Sequence, residues 1–157
     1  MGIEIKRKFL VKMKKGPMIS NRKYEITQGY ILNLPEKVIR IRIFDNSTAY
    51  ITIKGKNENM TRPEYEYNIP CAEGAELIKV MCTDIITKTR YICNVKNSKW
   101  EVDFFHGDNE GLIVAEIELK DEDDPIDYPE WIGKEVTGKK KYYNNNLIKN
   151  PYKDWSK

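Results

Sequence analysis

The chain is poor in the residues that usually announce a reactive centre. Among 157 residues it has three cysteines, Cys71, Cys82 and Cys93, with no C-x-x-C pair. An odd number without that spacing argues against a disulfide framework, and lone cysteines of this kind read as packing. The single histidine, His106, precedes a Gly-Asp-Asn turn and reads as a loop residue. That excludes histidine-based zinc chemistry and a Ser-His-Asp triad. No apolar run approaches the ~20 residues of a membrane span, and the N-terminus has no apolar signal segment. A reducing cytoplasm is therefore the expected compartment. The chain also lacks a charge excess of one sign. Its 27 basic and 24 acidic residues leave a net charge of +3, too balanced to point to nucleic acid.

What the chain does have is alternation. Ile3-Glu4-Ile5-Lys6-Arg7-Lys8-Phe9-Leu10-Val11 puts Glu4, Lys6 and Lys8 on one side of a strand. Ile3, Ile5, Phe9 and Val11 fall on the other, with Arg7 as the exception. Further strand-like runs lie at about 26–33, 38–44, 48–55, 62–69, 86–94, 99–106 and 112–120. Turn signals separate most of them, among them Lys15-Gly16-Pro17, Asp45-Asn46-Ser47 and Asn97-Ser98. A helix is expected over 71–83, with Ala72, Ala75, Leu77, Ile78 and Met81 as its apolar side. A second is expected to include 128–136, and a shorter third to begin near Asn144. The domain is expected to span 1–149, with 150–157 as a loose tail.

Short connections favour antiparallel neighbours, and eight strands close most economically into a barrel without free edges. The expected class is thus mainly β (α+β), a closed eight-stranded antiparallel barrel with a few flanking helices. Nearly every strand carries a charge pair, and the signs are sorted by strand. Arg40 and Arg42 share a side, as do Lys88 and Arg90; Glu64 and Glu66, Glu101 and Asp103, and Glu116 and Glu118 are the acidic counterparts. A solvated outer face explains one such strand, but not the repetition. The reading is a wide polar lumen with the apolar faces outside, under the helices.

Arginine and lysine in such a lumen suit a polyanion, because the guanidinium fork matches phosphate oxygens. Carboxylates in the same space would repel that anion unless a cation lay between. Glu4, Glu116 and Glu118 are hard oxygen donors of the kind used by Mg²⁺ or Mn²⁺ together with phosphates. Phosphoryl transfer fits, since it needs positioning and charge neutralisation more than a protein nucleophile.

The run Glu4-Ile5-Lys6-Arg7-Lys8 resembles the first strand of the triphosphate tunnel metalloenzymes, or CYTH-domain proteins. The resemblance continues through Gln28-Gly29-Tyr30, Arg40-Ile41-Arg42, Thr52-Ile53-Lys54 and Glu64-Tyr65-Glu66. It then runs through Lys88-Thr89-Arg90-Tyr91, Glu101-Val102-Asp103, Glu116-Ile117-Glu118 and Trp131 to Thr137. It implies a tunnel that binds a small-molecule triphosphate with divalent metal and hydrolyses it, with no nucleic-acid or membrane partner. By that likeness Lys8, Arg40, Arg42, Lys54, Lys88, Arg90 and Lys141 hold substrate, and Glu4, Glu116 and Glu118 serve the metal. Catalysis is assigned to Glu4, Lys8, Glu116 and Glu118. Glu64, Glu66 and Asp103 are candidate auxiliaries to the metal, and the assembly is a monomer or homodimer.

One departure matters. The family signature on this strand is Glu-x-Glu-x-Lys, whereas this chain has Lys6 at the middle acid. A unit charge at ~4 Å is worth about 4 kcal/mol at an effective dielectric of 20, so the two-unit reversal is large. Lys6 either neutralises phosphate directly and adds to the substrate-binding set, or leaves the other carboxylates to hold one metal, or is an introduced substitution. Alternatives of the same fold are a non-catalytic polyphosphate or nucleotide binder and an adenylate cyclase-type enzyme. A nucleic-acid-binding barrel and a lipocalin-like carrier fit less well. Tyr65, Tyr67 and Tyr91 lie on the parity opposite the charges, and the lumen is not apolar.

Overall fold

Alternation along the first strand sets the architecture. The computed structural model describes residues 2–12 and 22–155. The expected turn at Lys15-Gly16-Pro17 lies outside these residues. The strands are β1 (Gly2–Val11), β2 (Arg22–Leu34), β3 (Lys37–Phe44), β4 (Thr48–Lys54) and β5 (Thr61–Ile69), followed by β6 (Ile85–Val95), β7 (Ser98–Phe105), β8 (Ile113–Leu119) and β9 (Ile132–Glu135). They pair antiparallel in the order β5-β4-β3-β2-β6-β7-β8-β1, and β5 returns to β1 to close the ring. This is the expected eight-stranded barrel, with β9 as an added strand.

Closure depends on β1 changing partners along one edge. Its first half pairs with β5 (Ile3 opposite Pro63), and its second half pairs with β9 (Phe9 opposite Glu135). The expected helix over 128–136 is therefore wrong. Pro129 and Gly133 interrupt that stretch, and a Cβ at Gly133 would lie 3.0 Å from the Leu10 carbonyl oxygen. The same pairing explains why Arg7 stands on the apolar side of β1. Its guanidinium donates to both carboxylate oxygens of Glu135, at 2.9 and 2.7 Å, and lies over the Phe9 ring.

The apolar faces point outward and are covered, as the alternation requires. Phe9, Trp100, Val102, Ala115 and Ile117 pack beneath Trp131 and Ile132. On the other side, helix α1 (Cys71–Met81) lies over Ile41, Ile43 and Ala49. Its contact stripe is Cys71, Gly74, Leu77 and Ile78, an i, i+3, i+4 face that continues to Cys82. Ala72, Ala75 and Met81, expected on that side, are exposed. Close approach at Gly74 decides the difference: a Cβ there would sit 2.7 Å from that of Ala49.

The C-terminal segment closes one end of the barrel. Ile86, Phe105 and Val114 share the parity of Lys88, Asp103 and Glu116, so the lumen is apolar at that end. They pack against Leu147 of the short helix α2 (Asn144–Leu147). Tyr152 and Trp155 pack around the same cluster, with ring centroids 5.1 Å apart, although 150–157 is expected to be loose. Among the described residues, no helix is long and apolar enough to cross a membrane.

Candidate active site

The middle of the lumen is a pair of opposed electrostatic surfaces. Two cavities open into it, one of ≈ 700 Å³ and one of ≈ 80 Å³, and both are lined by Glu4, Lys6, Arg40 and Arg42. These four residues form the junction. The larger cavity continues past Glu64, Arg90, Glu101 and Glu118. The smaller reaches Lys8, Lys54, Arg62, Glu116, Tyr143 and Asn144.

Strand β3 supplies the basic side. Arg40 and Arg42, two apart, are both buried. Arg42 donates from Nε to the amide oxygen of Gln28 at 2.9 Å. Burial lowers the Arg42 guanidinium to about 9, and repulsion from Arg40 and Arg90 adds to that. Arg40 donates to Thr52 Oγ1 at 3.1 Å and lies 3.6 Å from Glu66, while its Nε has no partner. A buried donor without a partner is costly. This side is short of negative charge.

Strands β1 and β8 supply the acidic side, and register brings the two together. Lys6 lies opposite Glu118 and Lys8 opposite Glu116. Glu4 Oε1 is 3.0 Å from Lys54 Nζ, and its Oε2 is 3.2 Å from Lys6 Nζ. Burial opposes its ionisation, but Lys6 and Lys54 hold Glu4 well below the usual carboxylate range. For Lys6 itself, burial is overridden by Glu4, Glu116 and Glu101, which keep the ammonium charged. Lys54 goes the other way: burial lowers it to about 7, although Glu4 opposes the shift. Glu116 lies 3.5 Å from Lys8 and 3.8 Å from Arg90. Burial raises Glu118 and Glu64, so their charged forms are disfavoured.

The site residues expected from the sequence thus divide. Glu4, Lys6, Lys8, Arg40, Arg42, Lys54 and Glu116 meet around the smaller cavity, while Arg90 and Glu118 line the larger one. Lys88 is enclosed. Its ammonium is 2.8 Å from Asp103 and 2.7 Å from Asn144 Oδ1, and neither cavity reaches it. Asp103 also takes two hydrogen bonds from Arg90, at 2.7 and 3.0 Å, so it is a structural counter-ion. Lys141 lies outside the lumen, 4.3 Å from the Trp155 ring, in a groove with Leu10 and Tyr152. Sequence reasoning missed Arg62, Tyr30, Tyr143 and Asn144, which line the small cavity. Parity with Glu64 and with Gln28 would have found the first two. Nothing local marks the last two, which arrive from the C-terminal segment.

The CYTH domain family model matches residues 2–152. The chain belongs to the CYTH family. It is 43% identical, over 99% of each chain, to a curated inorganic triphosphatase of Acetivibrio thermocellus. It is 31% identical to one of Nitrosomonas europaea, over 92% of this chain and 95% of that one. A crystal structure of an inorganic triphosphatase superposes with a TM-score of 0.65 at 29% identity, covering 92% of this chain and 97% of the other.

CYTH membership implies a divalent metal ion. The donor type fits, because the acidic side offers only hard carboxylate oxygens. The arrangement does not. Both oxygens of Glu4 face ammonium groups, and Lys6 stands among the acids. Among the described residues, no three His, Cys, Asp or Glu side chains converge on a point that could hold a metal.

Proposed function

We propose that this protein is a triphosphatase that takes a short polyphosphate, inorganic triphosphate foremost, into the barrel and releases phosphate. The observation that carries the reading is the Arg40–Arg42 pair. These are two buried guanidinium groups, one hydrogen-bonded to a neutral amide and one with an unpartnered Nε, at the junction of two cavities. A polyanion meets both needs. It supplies acceptors for the free donors and offsets the repulsion that burial amplifies. Lys8, Lys54, Arg62 and Arg90 lie around the same space and extend the grip along the chain of phosphates.

Chemistry then follows from position and charge. Hydrolysis of a phosphoanhydride spreads negative charge over the transferred group, and fixed cations around it stabilise that charge. In this reading Glu4 and Glu116, both held ionised, orient the attacking water. Of the divalent ions, Mg²⁺ and Mn²⁺ suit a donor set of carboxylate and phosphate oxygens alone. Three free thiols, two of them buried, suit a reducing cytoplasm. Size-exclusion chromatography separates monomer from homodimer.

The test is phosphate release from inorganic triphosphate, ATP and thiamine triphosphate, each with Mg²⁺ and with Mn²⁺. Inorganic triphosphate should be turned over fastest. Absence of release from all three would leave the second reading, a protein that binds polyphosphate without hydrolysing it. The ammonium groups on Glu4 are the observation that favours that reading.

A further inference from the structure

Lys6 occupies an unusual position for a cation in this lumen. Its neighbour on β1 is Glu4, at 3.2 Å, and its cross-strand partner on β8 is Glu118. Glu116 on β8 and Glu101 on β7 also act on its charge, with Arg90 opposing them. Lys6 is in turn among the charges that favour ionisation of Glu4, Glu64, Glu116 and Glu118. One ammonium thus pairs with Glu4 and lies within electrostatic reach of acids on β7 and β8. It is not sealed off: its side chain is 20% exposed and lines both cavities.

An anion held by Arg40 and Arg42 would face this acidic side. Its oxygens and the carboxylates repel unless positive charge lies between them, and partial burial strengthens that repulsion relative to bulk water. The Lys6 ammonium is already at that interface, with three donor hydrogens and no acceptor of its own. One hydrogen can remain on Glu4 while another turns to a phosphate oxygen. A divalent ion at the same place would have to displace the ammonium or lie beside it, against like charge.

We propose that Lys6 is a tethered cation bridging the carboxylates and the bound substrate, so that the barrel captures the metal-free triphosphate anion. Any divalent metal then acts on turnover, not on capture. The inference rests on the triphosphate reading above and adds the form of the ligand: free polyphosphate in preference to its metal chelate.

Calorimetric titration of the full chain with inorganic triphosphate, in EDTA and in Mg²⁺, tests this without any variant. Binding in EDTA should equal or exceed binding in Mg²⁺. Lys6→Met should weaken binding in EDTA by roughly ten- to hundredfold, the worth of a charge-assisted hydrogen bond. Lys6→Glu should abolish binding in EDTA and recover it in Mn²⁺. Its manganese spectrum in electron paramagnetic resonance should show bound ion where the parent protein shows only free ion. Binding by the parent protein only when metal is present overturns the tethered-cation role and leaves the triphosphatase reading standing. So does a Lys6→Met protein that, folded by circular dichroism, binds as tightly in EDTA as the parent. Absence of binding under both conditions overturns both readings.

Discussion

Arg42 donates its Nε hydrogen to the side-chain carbonyl of Gln28, 2.9 Å away, and Gln28 is itself fully buried beside Tyr30. The partner is neutral, while Lys88 and Arg90 in the same barrel are matched to Asp103. On the reading proposed above, Arg42 is the cation that a bound anion would meet. Arg42→Met should lower triphosphate affinity by roughly ten- to hundredfold. It should also leave the unliganded protein as stable as the parent or more so, because a buried and repelled charge is removed. Calorimetric titration and thermal melting of one preparation check both signs.

Asp103→Asn should do the opposite. It leaves Lys88 and Arg90 buried without their carboxylate, a change that costs about 3–5 kcal/mol. Thermal or urea unfolding should show a large loss of stability even without substrate. A melting temperature close to that of the parent would mean that Asn144 and Glu101 suffice as partners for these cations.

The pH dependence of unliganded stability should carry a signature of Lys54. Burial lowers its ammonium from 10.5 to about 7 in the folded chain, with Arg40 and Lys6 adding to the shift. The folded state loses this proton earlier than the unfolded chain, which binds more protons between these values. Stability contributed by this group therefore rises with pH from about 7 to 10.5 and is penalised below that window. Lys54→Met should flatten that part of the curve in urea unfolding measured across the range.

Gly74→Ala adds helix propensity to α1 and should nonetheless destabilise. The new methyl group would lie 2.7 Å from the Cβ of Ala49 on β4, forcing the helix away from the barrel. Overpacking of this kind costs about 1–3 kcal/mol. Ala49→Gly in the same chain should restore part of the loss, which melting of the single and double variants would reveal.

Arg62 and Lys141 should separate in a binding assay. Arg62 lines the small cavity and is anchored through the Gly55 carbonyl at 2.8 Å, whereas Lys141 lies against Trp155 outside the barrel. Arg62→Ala should weaken triphosphate binding roughly tenfold. Lys141→Ala should change it less than twofold. Equal losses would place the substrate path through the Lys141 groove.

The eight strands of the barrel and the side of each that carries charge were legible from the sequence alone. Strand alternation has a period of two whatever the partner, so Arg40 with Arg42, and Glu116 with Glu118, could be assigned to one surface before any fold was known. The departure at Lys6 was equally visible, because the first strand resembles the family's Glu-x-Glu-x-Lys at Glu4 and Lys8 but not between them. Tertiary structure decided the rest. Residues 132–135 are a strand because β1 leaves an edge that β5 covers only halfway, and no local propensity reports that vacancy. Arg7 is tolerated on an apolar face because Glu135 meets it from 128 residues away. Lys88 and Arg90 share a parity and both are committed to Asp103, while Arg42 is hydrogen-bonded to the neutral amide of Gln28. Periodicity sorts residues to a face; only the neighbours across the lumen determine which of those charges are already neutralised and which still need an anion.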